Sequence, residues 1–263
     1  YQMTAGTLTV GSQIIVGRRG TGTFLQSGGT VNGPNAIYLG YEGNGRGEWQ
    51  LSGTGVLNAK SSLSIGQGAT GVFKQSGGTA NVLGNLVLGV GTGTEGTYEI
   101  SAGLLDIDGI LHNGDDGTGR LKIVGDAATI LTDGYEQNAA STLELVIDNG
   151  LSPIQVDGAI SLAGMLDVEV LAPLAAFEVV PILVNDGADA VTGIFDGLSE
   201  GARFTLPGND RDAWISYSAN VDGGAIGNDV VLTIVPEPSA LLLLGLGLPA
   251  LTLIRRRPQR PRD

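Results

Sequence analysis

Hydrophobic and polar positions alternate in short runs through the first half of the chain, and glycine breaks each run from the next. Gly22-Thr23-Phe24-Leu25-Gln26-Ser27-Gly28-Gly29-Thr30-Val31 returns as Gly47-Glu48-Trp49-Gln50-Leu51-Ser52-Gly53 and as Gly71-Val72-Phe73-Lys74-Gln75-Ser76-Gly77-Gly78. A worn copy follows at Gly96-Thr97-Tyr98-Glu99-Ile100-Ser101-Ala102-Gly103, and a fainter one at Gly119-Arg120-Leu121-Lys122-Ile123. A period of two predicts strands, and glycine between runs predicts tight corners. No stretch of these repeats holds a 3.6-residue spacing long enough for a helix.

Ser27, Ser52, Ser76 and Ser101 stand 25, 24 and 25 residues apart, a fixed period that marks a solenoid. Each unit carries three apolar runs. The first holds the aromatic residue (Phe24, Trp49, Phe73, Tyr98), and the second holds Val31, Val56, Ala80 or Leu105. The third closes on apolar-x-apolar-Gly: Ile37-Tyr38-Leu39-Gly40, Leu63-Ser64-Ile65-Gly66 and Leu86-Val87-Leu88-Gly89. Three strands and three corners in about 24 residues predict one coil of a parallel β-helix, with coils stacked at about 4.8 Å and the aromatic rings of successive coils buried over one another. The predicted fold is all-β, a right-handed parallel β-helix (solenoid) over residues 1–138. The chain opens in mid-unit, at Gln2-Met3-Thr4-Ala5-Gly6-Thr7-Leu8, so this reading expects further coils and any signal peptide upstream of Tyr1.

Around Ala139 the grammar changes to longer runs, among them Thr142 to Ile147, Met165 to Val170 and Phe177 to Val184, bounded by turn residues. Ala163-Gly164 between two alternating runs reads as a hairpin turn. Residues 139–234 are therefore expected to form an antiparallel β cap over the open coil end.

Glycine, at 44 of 263 residues, is explained by regular corners, since no Gly-X-Y period is present. Cysteine is absent, which excludes disulfides and thiolate metal sites. Of the 14 basic and 27 acidic side chains, five arginines and one aspartate lie in the last nine positions, leaving residues 1–254 at −17. So acidic a body repels phosphate backbones, and nucleic acid is not expected as a partner.

Asp106, Asp108, Asp115 and Asp116, with Asp126 nearby, make the richest acidic cluster of the repeats and are the candidates for Ca²⁺ or for carboxylate chemistry on a sugar. Neither the Gly-Gly-x-Gly-x-Asp repeat of calcium-filled β-rolls nor an Asp-x-Asp-x-Asp-Gly loop accompanies them, so solvated loop and outward strand positions are the expectation, with no resident cofactor. His112, the single histidine, reads as surface. Asp115-Asp116 with Arg120-Leu121-Lys122-Ile123 is faintly similar to a motif of pectin-cleaving β-helix hydrolases, but the companion Asn-Thr-Asp and Gly-His-Gly elements are missing and the activity is not carried over. No catalytic residue is assigned and the chain is not expected to be an enzyme.

The Gly-x-Phe-x-Gln-Ser-Gly-Gly-Thr repeats resemble those of autotransporter-like bacterial surface proteins, and Gly193 to Ala202 with Gly227 to Thr233 resembles the closing segment of such chains. The tail is more specific. Val235-Pro236-Glu237-Pro238, a 16-residue uncharged run from Ser239 to Ile254, and Arg255-Arg256-Arg257 stand in the order of a PEP-CTERM sorting signal, which residues 235–263 resemble. The resemblance implies recognition by exosortase, a membrane enzyme of Gram-negative bacteria, with Val235 to Pro238 as its substrate. It also implies a transient inner-membrane anchor, a C-terminal transmembrane helix stopped by the three arginines, and export to the cell surface or an extracellular polysaccharide matrix. A structural or adhesive role follows, the alternative being a polysaccharide-binding or polysaccharide-degrading enzyme delivered by the same route.

Overall fold

The computed structural model describes residues 1–186, 189–208, 211–223 and 227–236. Among these there is no helix, and the chain winds as a parallel β-solenoid of about seven turns. The expected transmembrane helix lies outside the described residues.

Each coil has three faces. The first face stacks Gln2–Met3, Thr21–Gln26 and Arg46–Leu51, then the opening parts of Thr70–Val82, Glu95–Asn113 and Thr118–Gln137, then Thr142–Ile147 and Met165–Val170. Every pairing in it is parallel. The column Phe24, Trp49, Phe73, Tyr98, Leu121, Leu143, Leu166 runs in register across it. The rings stack as the alternation predicts: Phe24 on Trp49 at 4.0 Å, Trp49 on Phe73 at 6.1 Å, Phe73 on Tyr98 at 4.8 Å, with interplanar angles of 13°, 10° and 8°. Trp49, Phe73 and Tyr98 are wholly buried. Large flat side chains in one column lose their water-exposed area to each other and hold adjacent coils to one register.

The second face stacks Leu8, Val31, Leu57, Ala80, Leu105, Ile130, Ile154 and Leu183 in register. Here the expected column slips by one residue: Leu57, not Val56, is the buried member, and Val56 pairs with Thr30 on the outer side. The third face stacks Ile14, Ile37, Leu63, Leu86, Leu111, Tyr135 and Ile160. A neighbouring column on this face passes from Leu88 to Asn113 to Gln137, so the core turns polar there. Asn113 Nδ2 donates to Gln137 Oε1 (2.9 Å) and to the Thr142 carbonyl (2.9 Å), and the Tyr135 hydroxyl donates to Gln137 Oε1 (2.8 Å). Burial pushes the Tyr135 and Tyr98 hydroxyls up from their ordinary range, so both stay neutral donors.

Buried glutamines close the first corner. Gln26 and Gln75 point inward behind the aromatic column, and each side-chain amide donates to carbonyls of the turn and of the next coil, as Gln75 Nε2 does to Leu104 (2.8 Å). Tyr98 donates its hydroxyl to Gln75 Oε1 at 2.6 Å. At the corner after the third face the closing glycine has no substitute. Gly66 holds φ 81°, and a Cβ on it would lie 2.3 Å from the Glu95 carbonyl oxygen.

The expectation for residues 139–234 needs correction. Thr142–Ile147, Ile154–Val156 and Ile160–Leu162 make another full parallel coil, and Met165–Val170, Val179–Asn185 and Val191–Gly193 make a last one. Ala163-Gly164 is a coil corner, not a hairpin: the strands it joins pair with coils above and below instead of with each other. Hairpin and corner share the same local sequence because both bend the chain sharply at a small residue with positive φ, here Gly164 at 67°. Among the described residues of this region, Arg203–Leu206, Arg211–Ala219 and Asp229–Ile234 pair antiparallel with one another, and the last of these also pairs antiparallel with Val179–Asn185. Phe195, fully buried, and Tyr217, whose hydroxyl donates to the Leu198 carbonyl (2.7 Å), plug the end beneath this sheet.

Trp49→Ala should lower unfolding free energy by about 3–5 kcal/mol, whereas Trp49→Phe, which continues the ring column, should cost far less; chemical denaturation of the two variants measures the contrast. Gly66→Ala should cost more than about 1 kcal/mol and lower the melting temperature.

Candidate functional site

The acidic candidates do not converge. Asp106 and Asp108 line an open hollow of about 340 Å³ with Lys60, Leu83 and a ladder of side-chain amides. Asn81 donates to Asn58, and Asn58 to Asn32, each at 2.8 Å, and Asp106 is the next member of that row. Asp115 and Asp116 sit exposed at a different corner, ahead of Thr118. Among the described residues no group of three or more His, Asp or Glu side chains could hold a metal ion. Asp108 instead opens a column that the sequence reading passed over. Asp133, Asp157 and Asp186 follow it at the same corner of the next three coils, all exposed, each directly after the register partners Ile107, Thr132, Val156 and Asn185. That edge of the solenoid thus carries a row of four exposed carboxylates, one per coil.

His112 is not plain surface. Its side chain is 22% exposed and is held from both sides. The Ile110 N–H donates to Asn85 Oδ1 (3.1 Å), which turns the Asn85 amide nitrogen toward His112 Nε2 (3.2 Å). Nε2 therefore accepts, and Nδ1 carries the proton toward Glu136 Oε2 at 2.9 Å. With both ring nitrogens committed to neighbouring coils, the imidazole is a tie between turns. Gly197-Leu198-Ser199-Glu200-Gly201 has the glycine spacing of a nucleophile elbow, contrary to the expectation that no Gly-x-Ser-x-Gly occurs in the chain, but that chemistry needs a strand-to-helix turn. Ser199 lies in an exposed turn, and the Glu200 carboxylate accepts the Tyr217 N–H (2.7 Å).

Glu144 is the most enclosed carboxylate among the ion pairs, with its side chain 9% exposed. Burial by itself would raise its pKa, but hydrogen bonds from Lys122 (2.7 Å) and Arg120, one coil below, more than offset that and hold it below the ordinary glutamate range. The pair locks two coils together on the first face.

The chain leaves the solenoid at the antiparallel sheet. Asp229–Ile234 runs between Val179–Asn185 and Arg211–Ala219 as its central strand. Val235 still belongs to it: its N–H donates to the Asp212 carbonyl (2.8 Å), its side chain is buried, and Pro236 beside it is buried too. Glu237, Pro238 and Arg255, Arg256 and Arg257 lie outside the described residues. Around this exit the outer face of the sheet is mixed, with exposed apolar side chains next to an Arg203–Asp212 ion pair. Val179, Thr233, Trp214 and Arg203 form one outward row across four strands, with Val179 47% and Trp214 38% exposed. The strand expected to begin at Phe177 begins at Val179, because Phe177 takes φ 64°. Its N–H donates to the Ile234 carbonyl while the Ile234 N–H donates to Glu178, a bulge that leaves Phe177 62% exposed directly beside the departing chain. The uncharged stretch Leu171-Ala172-Pro173-Leu174-Ala175-Ala176-Phe177 was the available signal for this face. Among the described residues no helix is long and apolar enough to cross a membrane.

The family model for the PEP-CTERM protein-sorting motif matches residues 235–257. The chain thus carries that sorting motif, beginning at Val235, which is hydrogen-bonded into the sheet. No curated protein matches the chain. No solved structure matches it either.

Glu144→Gln should reduce the melting temperature at neutral pH. Because the folded-state pKa is depressed, this contribution is present above the unfolded glutamate value of about 4.3 and is lost as pH falls through the lower folded value. The gap between native and variant melting temperatures should therefore close on acidification below that range.

Proposed function

We propose that this protein is a non-catalytic structural or adhesive element of the cell surface or extracellular matrix. The sorting motif implies exosortase processing and export to the cell surface; the rest of this reading concerns how the chain uses that route and what it does on arrival. The 16-residue run from Ser239 to Ile254 holds the precursor in the inner membrane, and Arg255, Arg256 and Arg257 remain on the cytoplasmic side. Pro236 and Pro238 have no backbone N–H to give to a strand ladder, a composition that suits a phrase read by a processing enzyme. Cleavage then frees the solenoid, whose acidic body stays soluble beside an extracellular polysaccharide.

The observation that carries this reading is the continuity of body and signal. The matched motif starts at Val235 while Val235 is still bonded to Asp212, so the coil stack and its address travel as one piece. The non-catalytic part is supported by His112, which is bound on both sides, and by acidic candidates that face different corners.

Pro236→Ala combined with Pro238→Ala should leave uncleaved precursor in the inner-membrane fraction of a host with active exosortase, read by fractionation and immunoblot. Normal release of the double variant would remove the sorting role. Purified released protein should leave the host's exopolysaccharide uncut; hydrolysis abolished by Asp106→Asn with Asp108→Asn would replace the scaffold by the enzyme reading.

A further inference from the structure

The apolar surface around the chain exit has no part in holding the solenoid together. Leu171 is 59%, Phe177 62%, Val179 47% and Trp214 38% exposed, and Pro173 is exposed between them in sequence. Leu174, 4% exposed, pins the loop to the core, and the Ala175 N–H donates to the Glu178 carboxylate (2.6 Å), so the loop is held in place with its apolar side chains outward. On a body with charge −17 over residues 1–254, an uncharged loop continuous with exposed aromatic residues marks an interaction surface. Phe177 strengthens the point. Its φ of 64° is a conformation in which glycine is unstrained and a bulky residue is not, yet the position carries an exposed phenyl ring.

The location identifies the partner. Pro236 is the last described residue before the tail, and only Glu237 and Pro238 separate it from the uncharged run that begins at Ser239. Three peptide steps of extended chain reach about 10 Å at most. The headgroup layer on one side of a bilayer is about 5–8 Å thick. With the run inserted, the tether is barely longer than that layer, and the face surrounding the exit must rest against it. Tryptophan and phenylalanine with aliphatic neighbours are side chains that suit this depth, and the charged groups beside Trp214, Arg203 and Asp212, are paired with each other.

We propose that Leu171, Pro173, Phe177, Val179 and Trp214 form a bilayer-contact face that seats the folded body on the outer leaflet of the inner membrane while the uncharged tail is inserted. This rests on reading the tail as a membrane anchor. The contact fixes the height and tilt of the body, and so presents the Pro-Glu-Pro phrase at one depth to a membrane enzyme. Cleavage removes the anchor, and the remaining contact, a few side chains, is too small to hold the body there.

The chain has two tryptophans, and Trp49 is stacked between Phe24 and Phe73, so Trp49→Phe leaves Trp214 as the only indole without breaking the ring column. The full chain with this substitution is reconstituted in vesicles of phosphatidylethanolamine and phosphatidylglycerol, with and without lipid brominated near the headgroup end of its acyl chains. The expected result is cosedimentation with the vesicles and loss of most Trp214 emission in the brominated set. Adding Phe177→Gly, which the positive φ accommodates, should weaken the quenching without lowering the melting temperature. Cosedimentation with Trp214 unquenched would overturn the contact face and leave the anchor standing. Failure to cosediment would remove both. A Trp214 emission shift produced by soluble exopolysaccharide, with no quenching in vesicles, would assign the face to a glycan and overturn the proposal.

Discussion

Like side chains lying over like side chains, one coil spacing apart, are the constraint from which the rest of this structure follows. In a parallel solenoid each residue is paired with its counterpart one turn away, so every inward column must be chemically compatible along its whole length. The ring column satisfies this with the rings of Phe24, Trp49, Phe73 and Tyr98 stacked nearly parallel, then changes to leucine at Leu121, Leu143 and Leu166. Where a polar residue enters the core the same rule applies. Asn113 and Gln137 follow one another in a column and bond to each other and to Tyr135, so the polar seam is bonded from coil to coil, although Asn113 Oδ1 is buried without a hydrogen-bond partner. The outward amide ladder of Asn32, Asn58 and Asn81 is the solvent-side version of the same matching.

This constraint also divides the molecule. The inside and the corners are occupied by stacking requirements: glycines pressed against carbonyls, glutamines bonding turn carbonyls, His112 tied to Asn85 and Glu136. What departs from the repeat is the end. There the coils stop, three antiparallel strands cover the last one, Phe195 and Tyr217 fill the gap, and the chain exits at Val235 beside exposed apolar side chains. The sorting motif begins at that point.

The repeats and the tail were legible in the sequence for different reasons. In the first coils the corner glycines and ring residues recur with a spacing so regular that one alternating pattern identifies both strand and stacking partner. The tail is read by an enzyme, so its information is linear by nature. Residues 139–193 were harder. The ladder positions Leu121, Leu143 and Leu166 keep 22- and 23-residue steps, but the aromatic and most of the glycine markers are gone, and plain alternation does not say whether a strand's partner lies across a turn or a coil away. Val56 and Leu57 illustrate the same limit: two adjacent apolar residues make the inward one a matter of register, which the neighbouring coil decides. The exposed face was hidden because exposure of Phe177 depends on a bulge against Ile234, a long-range contact with no local signature beyond a run without charge.

In-register parallel stacking can be measured directly. Leu25, Gln50, Lys74, Glu99, Lys122, Glu144 and Asp167 form one row on the first face, each paired with the next coil's member. The chain has no cysteine, so nitroxide labels can be placed in pairs at Leu25→Cys with Asp167→Cys and at Gln50→Cys with Asp167→Cys. Pulsed dipolar spectroscopy should give a narrow distance near 29 Å for the first pair, six coil steps of about 4.8 Å, and one shorter by about 5 Å for the second. Broad distributions, or two distances that do not differ by one coil step, would contradict the stacked solenoid.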